Sequence, residues 1–375
     1  MKAIILQENL SKSLGLVGRV VSSRGQMPVL GNVLIEATKV GLVLSATNLE
    51  MGLRVEAGGK VTEEGGITVP AKNLAEYAGS LESGNVELTG EGEKLKVKGG
   101  KSEATFAGIA ATEFPVIPRL NEKTAKSDRY KISRKIVLEI AQQVAFAAAG
   151  DESRPVLTGI KLMKTETGLT AVATDGFRLS RKRIDKAGLG GGGIGEAGLI
   201  LPARTILELA RLASESKGGE IIMEKAEENN QVIFGCDGIQ LVSRILEGNF
   251  PDVEKIIPVE KKTSLTADRE NLLRAVRSAS IFARDNSNII RFKMDASGFK
   301  ITASAQQTGE SEIELEAEKE GEDVEIAFNY RYVIDFLGST DIERVRLVLN
   351  GNLAPGVWSW EGDESLIHLI MPVRV

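Results

Sequence analysis

The sequence predicts an α+β fold made of three repeated domains, because three kinds of segment recur in one order. A glycine-led, mainly apolar segment recurs in steps of 127 and then 130 residues, at residues 41–47, 168–174 and 298–304. A second related segment follows each of these, at residues 69–76, 201–208 and 328–335. An apolar residue followed by proline closes each unit, at residues 114–115, 250–251 and 371–372. Such a series indicates three copies of one domain.

The repeats also suggest where the domains begin and end. We place the first domain at residues 1–122, the second at residues 127–258 and the third at residues 263–375. The short segments between them are charged and weakly apolar, as linkers are. Each copy then has an ordinary domain size.

Within each copy, a short strand leads into an amphipathic helix, and these first helices are predicted at residues 8–21, 133–149 and 268–284. The apolar face of the first one is formed by Leu10, Leu14, Val17 and Val21. Alternating strands follow, and then a second helix that begins near Lys72, Arg204 or Arg331. More alternating strands complete the copy. We therefore predict six helices beside antiparallel sheets.

Composition excludes several classes of protein. An apolar content of 42% is enough for three cores. The sequence has no apolar run near the roughly 18 residues that a membrane span needs, and it starts without a signal-peptide pattern. A single cysteine, Cys236, excludes an internal disulfide framework. We therefore expect a cytoplasmic protein without a membrane partner.

The net charge of −5 is unevenly distributed between helices and strands. The six predicted helices, with the first extended to Arg24, carry a net charge of +6, and the rest of the chain carries −11. For any one helix, a merely solvated face is the favoured explanation of its charge. The same separation in three repeats favours a basic, helix-lined surface on an acidic body, which suits sequence-independent contact with phosphates.

Residue combinations that support catalysis are missing from the sequence. His368 is the one histidine and lies in an alternating apolar segment, which indicates a structural role. One histidine and one cysteine cannot form a zinc site of the usual kind or a Cys-His pair. Residues 190–195 match GxGxxG, but they precede a strand instead of opening a helix, so we interpret them as a loop. We expect no cofactor, no metal and no enzymatic activity.

Several short motifs resemble the bacterial DNA polymerase III beta subunit, the replicative sliding clamp. The most specific is TDGFRL at residues 174–179, and the other motifs lie at residues 27–32, 46–50, 69–71, 250–252 and 371–374. They span all three repeats. The resemblance implies three similar domains per protomer and a ring of two protomers joined head to tail. It also implies that helices line a central hole through which duplex DNA passes.

The resemblance implies a set of partners and of site residues. The partners are duplex DNA bound without sequence preference, a second copy of the chain, the replicative polymerase, an ATP-driven clamp loader and repair proteins. For contact with DNA we propose Lys12, Arg24, Lys72, Arg204 and Arg274, of which the resemblance directly supports Arg24 and Arg204.

A cleft between the second and third domains is implied to bind short apolar-ended peptides of these partners. Its residues are Leu157, Thr174, Gly176, Phe177, Arg178, Leu179, Pro251, Lys255, Ile256, Leu369, Met371, Pro372, Val373 and Arg374. Many relatives have histidine at the position of Phe177, which leaves the fine peptide preference open.

For ring closure, the resemblance places Phe106 of one protomer against Ile281 and Phe282 of the other. Opposite charges favour the same arrangement, with basic residues at 94–101 and acidic residues at 310–318, although both segments also fit solvated strand faces. Two alternatives remain for the function: a non-ring structural protein or clamp-like paralogue with altered partners, and a nucleotide-dependent enzyme. Size determination in solution, together with retention on circular but not on linear DNA, distinguishes all three.

Overall fold

The structure is a computed structural model that describes residues 1–22, 27–120, 129–185, 189–190, 198–216, 218–226, 230–258, 260–284, 287–307 and 309–374. The first repeat contains β1 (Lys2–Leu6), α1 (Gln7–Val17), β2 (Asn32–Thr38), β3 (Gly41–Thr47), β4 (Met51–Gly58), β5 (Lys60–Glu63), β6 (Gly65–Pro70), α2 (Ala71–Ser80), β7 (Asn85–Glu91), β8 (Lys94–Gly99), β9 (Ser102–Ala107) and β10 (Ile109–Ala110).

The second repeat contains β11 (Tyr130–Ser133), α3 (Arg134–Gln143), β12 (Gly159–Lys164), β13 (Gly168–Thr174), β14 (Arg178–Asp185), β15 (Leu189–Gly190), β16 (Leu199–Pro202), α4 (Ala203–Glu215), β17 (Glu220–Ala226), β18 (Gln231–Cys236) and β19 (Ile239–Arg244). The third contains β20 (Thr263–Asp268), α5 (Arg269–Ala283), β21 (Ile289–Asp295), β22 (Gly298–Ala305), β23 (Gly309–Leu315), β24 (Ala317–Gly321), β25 (Val324–Asn329), α6 (Tyr330–Leu337), β26 (Arg344–Leu349), β27 (Gly356–Trp360) and β28 (Asp363–Ile370). The predicted α+β fold with six helices is confirmed for the described part of the chain.

The chain forms two compact units, and the boundary between them runs through the second repeat. Among the described residues, the first unit comprises those within residues 1–132 and 212–245, and the second comprises the remainder. In the first unit, β4 pairs with β19, so the sheet of the first repeat continues into strands of the second. In the second unit, β14 pairs with β28 and continues the second repeat into the third. The domain limits predicted above therefore remain predictions.

The sheets are antiparallel throughout the described pairings. The first unit has a five-stranded sheet in the order β5-β1-β7-β8-β9 and a larger sheet with the order β10-β6-β2-β3-β4-β19-β18-β17-β11. The second unit has a nine-stranded sheet, β16-β12-β13-β14-β28-β27-β26-β20-β24, and a four-stranded sheet, β23-β22-β21-β25. Strands β9 and β23 therefore lie at the outer positions of their sheets.

A side-chain cap marks the start of α3, α5 and α6, whereas α1 and α2 start without one. The Ser133 hydroxyl accepts from the amide of Ile136 at the start of α3, and Asp268 accepts from the amide of Asn271 at the start of α5, 2.7 Å away.

Two helix ends were predicted too late. Helix α1 ends at Val17, where two nearby glycines lower helix propensity, so Val21 lies outside it. Helix α3 ends at Gln143 and gives way to a short 3-10 turn.

Candidate partner-binding cleft and exposed basic surfaces

A rigid turn between β13 and β14 forms the centre of the predicted cleft. Thr174 Oγ1 donates to the carbonyl oxygen of Arg178 at 2.6 Å and accepts from the amide of Gly176 at 3.1 Å. Asp175 Oδ1 accepts from the amides of Phe177 and Arg178 at 2.8 and 2.9 Å. Gly176 has a φ of +93°, which favours glycine. These bonds make an Asx turn, and the sequence Thr-Asp-Gly was the signal for Asp175, which the prediction omitted.

The Arg178 side chain is held inside the second unit by contacts from a distant helix. Its Nε donates to Asp175 Oδ2 at 3.1 Å, and its Nη1 donates to Asp335 Oδ2 at 2.5 Å. The guanidinium lies 4.7 Å from the ring centre of Tyr332 and 5.6 Å from that of Phe146. Burial raises the pKa of Tyr332, and the Asp175 charge acts in the same direction. Arg178 thus connects the turn to α6 and to the 3-10 turn that follows α3, and no local sequence signal identified these partners.

His368 lies beneath this cluster and is fully buried. Its Nδ1 is 2.6 Å from the hydroxyl of Ser180, and its ring stacks on Phe336 with ring centres 4.9 Å apart. Phe146 packs against the same ring. Burial holds the pKa of His368 well below its ordinary value, and the charge of Arg178 adds to this effect. A neutral ring without access to solvent fits the structural role that the sequence predicted.

The segment after β28 is attached to the turn by its main chain. The amide of Met371 donates to the carbonyl of Phe177 at 2.8 Å, and that of Val373 donates to Ala327 in β25 at 2.9 Å. Phe177 is 59% exposed and Met371 is 38% exposed, although both side chains are large and apolar. Pro372 and Val373 are half-buried, and Arg374 is exposed. The structure therefore brings the two predicted segments of the cleft together.

A small apolar cluster supports these exposed side chains. Its buried members are Val172, Leu179, Val253 and Leu369, and half-buried Phe250 and Ile257 pack against it. Leu157 is also buried, in the turn before β12. Ile256 is 43% exposed and Pro251 is exposed. Lys255 Nζ lies 3.0 Å from Asp252, and this hydrogen-bonded partner lowers the pKa of the Asp252 carboxyl.

The described basic residues proposed for DNA contact lie on four helices. Lys12 on α1, Lys72 on α2, Arg204 on α4 and Arg274 on α5 are exposed. Lys72 is 3.9 Å from Glu76, and Arg274 donates to Asn271 at 2.5 Å. Arg24 lies outside the described residues.

The seven-residue spacing of Lys12 and Arg19 predicts that they share one face of the first helix, and this prediction was wrong. Helix α1 ends at Val17, so Arg19 lies in the following turn, where its guanidinium is 3.6 Å from Glu215.

The residues proposed for ring closure include side chains on the edge strand β9, on its neighbour β8 and on helix α5. Phe106 on β9 is half-buried and meets Tyr77 edge-on, with ring centres 5.6 Å apart. Ile281 on α5 is 56% exposed, whereas Phe282 packs against the core of the third repeat. Lys96 on β8 is 2.9 Å from Glu103 of its own sheet.

The sequence suggested that the acidic segment at residues 310–318 forms one strand, but the structure divides it between two strands. Glu310, Glu312 and Glu314 lie on β23, but Glu318 lies on β24 in the other sheet of this unit, where it is 2.7 Å from Arg344. Within its own sheet, Glu312 is 2.8 Å from Lys300.

A metal-binding group and a membrane-spanning helix are both absent from the part of the chain that the structure describes. It contains no group of three or more His, Cys, Asp or Glu residues arranged to hold a metal ion. None of its helices has the length and hydropathy to cross a membrane.

Comparison with known proteins identifies the family. Models of the DNA polymerase III beta subunit match the chain in three parts: the N-terminal domain at residues 1–118, the central domain at 131–252 and the C-terminal domain at 254–374. The beta sliding clamp of Synechococcus elongatus is 30% identical over 380 residues, with all of both chains covered. A sliding clamp from Pseudomonas aeruginosa solved with griselimycin bound is 30% identical, with all of both chains covered and a TM-score of 0.90. The sliding clamp structure from Bacillus subtilis shares the fold, with a TM-score of 0.90 at 24% identity, over 100% of this chain and 99% of the other. The chain therefore belongs to the DNA polymerase III beta subunit family, the non-catalytic sliding clamps of DNA replication.

Proposed function

We propose that the chain forms a ring of two protomers around duplex DNA and tethers the replicative polymerase through the cleft described above. The observation that carries this proposal is the set of exposed apolar side chains on a rigid frame. Phe177, Ile256 and Met371 are 59%, 43% and 38% exposed, while the main chain beneath Phe177 and Met371 is fixed by hydrogen bonds. Exposed apolar groups on a preorganised surface are typical of binding sites.

The chemistry of the cleft suits a short peptide with an apolar end. Buried Leu179 and Leu369 offer an apolar floor, and the thioether of Met371 adapts to unlike side chains. Because such a floor makes few directional bonds, one cleft can accept peptides from the polymerase, an ATP-driven clamp loader and repair proteins. For the same role, we propose that the protein acts in the cytoplasm, where it meets DNA.

Contact with DNA needs only weak, sequence-independent attraction once the ring is closed. Lys12, Lys72, Arg204 and Arg274 present their charges on helix surfaces. We include Arg24 in this set on the basis of the family resemblance alone. Contacts to phosphates differ little from one register to the next, so the ring slides. A tethered polymerase then keeps a high effective concentration at the primer end.

For ring closure we propose that β9 of one protomer meets β23 of the other. Both are edge strands, which offer unpaired main-chain groups. Phe106 and the exposed Ile281 would supply the apolar centre of this interface. Phe106→Asp combined with Ile281→Asp should convert the dimer to monomers in analytical ultracentrifugation. A dimer of unchanged affinity would exclude this interface, and Val40→Asp, at a residue that is 84% exposed, is the matched control.

Deletion of Met371 to Val375 tests the cleft. We expect the shortened chain to lose binding of a fluorescein-labelled peptide copied from the C-terminal tail of the polymerase from the same cell. The dimer and its retention on nicked circular DNA should persist, and linearising the DNA should release both proteins. Unchanged peptide affinity would show that the peptide binds elsewhere. Equal loss from circular and linear DNA would contradict the ring.

A further inference from the structure

The turn between β3 and β4 has the same hydrogen-bond frame as the turn at the centre of the cleft. Thr47 Oγ1 donates to the carbonyl of Met51 at 3.0 Å and accepts from the amide of Leu49 at 3.0 Å. Thr174, 127 residues later, makes the same two bonds in the second repeat. Leu49 has a φ of +74°, so it adopts the left-handed conformation that Gly176 adopts in the cleft.

The surrounding main chain repeats as well. Asn48 Oδ1 accepts from the amides of Glu50 and Met51 at 3.1 and 2.8 Å, as Asp175 does in the cleft. The amide of Arg244 donates to the carbonyl of Glu50 at 3.0 Å, as that of Met371 donates to Phe177. The first unit therefore contains a second copy of the frame that supports the cleft.

The side chains that line this second frame are different in kind. By register, Ser45 takes the position of Val172, and Glu36 takes that of Met163. Arg54 corresponds to Arg181 and is likewise buried. Two positions that are apolar in the second repeat are thus polar or charged in the first, whereas the buried arginine is common to both.

A cavity of about 450 Å³ opens at this position, within the first unit. The Glu36 carboxylate accepts from Arg54 Nη1 at 2.7 Å and from Arg119 Nη2 at 3.1 Å. Two guanidinium groups therefore share one carboxylate, which leaves a net positive charge in the lining. Arg54 is 9% exposed, whereas the Arg119 side chain is 55% exposed and can turn toward a ligand. On the apolar side of the cavity, Val116 is 94% exposed.

Ser45 provides an independent sign of a missing polar partner. It lines the cavity and is 2% exposed, yet its Oγ makes no hydrogen bond among the described residues. Buried hydroxyl groups are normally hydrogen-bonded, because leaving them without a partner is unfavourable.

We propose that this cavity binds a short peptide segment that carries one carboxylate beside an aliphatic side chain. The carboxylate would pair with Arg119, whose planar guanidinium suits a two-point contact. The aliphatic side chain would pack against Val116 and Ile117. The chain would then hold two peptide sites per protomer, one selecting apolar ends and the other selecting acidic segments.

Fluorescence polarisation with the full-length chain tests this proposal. The probe is the end-blocked, fluorescein-labelled peptide Gly-Leu-Glu-Val-Gly, and excess unlabelled polymerase-tail peptide keeps the cleft occupied. We expect the Glu probe to bind about tenfold more tightly than its Gln counterpart, because a charged hydrogen bond is lost. Arg119→Gln should weaken the Glu probe by a similar factor.

The control is Lys39→Gln, at an exposed basic residue of the first unit that lies outside both the cavity and the cleft, and it should leave the affinity for the probe unchanged. Equal binding of the Glu and Gln probes, no binding up to millimolar protein, or an affinity insensitive to Arg119→Gln would overturn the proposal. Displacement of the probe by inorganic phosphate as effectively as by unlabelled Glu peptide would also overturn it, since that indicates a simple anion site. The Arg119→Gln result does not depend on whether the tail peptide binds the cleft.

Discussion

Replacing Asp335 with asparagine tests whether the ion pair to Arg178 holds the turn of the cleft. The bond joins Arg178 Nη1 to Asp335 Oδ2 at 2.5 Å, between side chains that are 12% and 44% exposed. Two unit charges about 4 Å apart attract by about 4 kcal/mol at an effective dielectric constant of roughly 20. Because the carboxylate is partly in water, we reduce this to about 1–2 kcal/mol.

A loss of about 1–2 kcal/mol of interaction free energy predicts two measurable changes. The melting temperature of the unit that holds the pair should fall by about 2–8 °C, as expected for a domain of roughly 150–250 residues. If the turn loosens with it, affinity for the polymerase-tail peptide should fall about five- to thirtyfold. Differential scanning calorimetry and fluorescence polarisation measure the two quantities on one protein preparation.

Substitutions of Asp175 separate charge from turn geometry. Asp175→Asn removes the second charge beside Arg178 but keeps an oxygen that can accept from the amides of Phe177 and Arg178. Asp175→Ala removes both, so we expect it to weaken peptide binding more than either asparagine variant. If Asp335→Asn changes neither the melting temperature nor the peptide affinity, Arg178 does not position the turn through this pair.

Three further predictions concern stability. Buried His368 stays neutral, whereas the histidine of an unfolded chain is protonated below about pH 6.5, so the unfolded state binds more protons there. The free energy of unfolding should therefore fall between about pH 7 and 5, by up to about 1.4 kcal/mol per pH unit. His368→Gln should flatten this slope in urea titrations, and an identical slope would contradict the prediction. Ser45→Val introduces the residue type found at Val172 and removes a buried hydroxyl without a hydrogen bond, so the free energy of unfolding should rise by about 1 kcal/mol in thermal unfolding. A loss of stability would contradict this account. Gly168→Ala places a Cβ against the main-chain oxygen of Ile184 and should lower the free energy of unfolding by more than about 3 kcal/mol. Gly298→Ala brings its Cβ no closer than 3.6 Å to any described residue beyond its two chain neighbours and should lower it by less. Equal melting temperatures of the two variants would refute the steric argument.

The features that the sequence could predict are those that depend on residues close together in the chain. Repeated segments fixed three domains and six helices, because hydrophobic periodicity and capping act over a few residues. The turn at Thr174 was identifiable for the same reason, since its hydrogen bonds join residues at most four apart. Helix ends were less certain, because α3 stops where Phe146 turns to pack against Arg178 and His368.

Long-range pairing decided the rest. Asp335 reaches Arg178 across 157 residues of chain, and this contact depends on the pairing of β14 with β28. The burial of His368, the bend that separates Glu314 from Glu318, and the division of the chain into two units depend on which strands meet. The sequence shows that Ser45 and Val172 are equivalent, but only tertiary packing shows that one lines a charged cavity and the other an apolar floor. Local preferences select the elements, whereas the surroundings of a side chain are set by residues that are distant in sequence and adjacent in space.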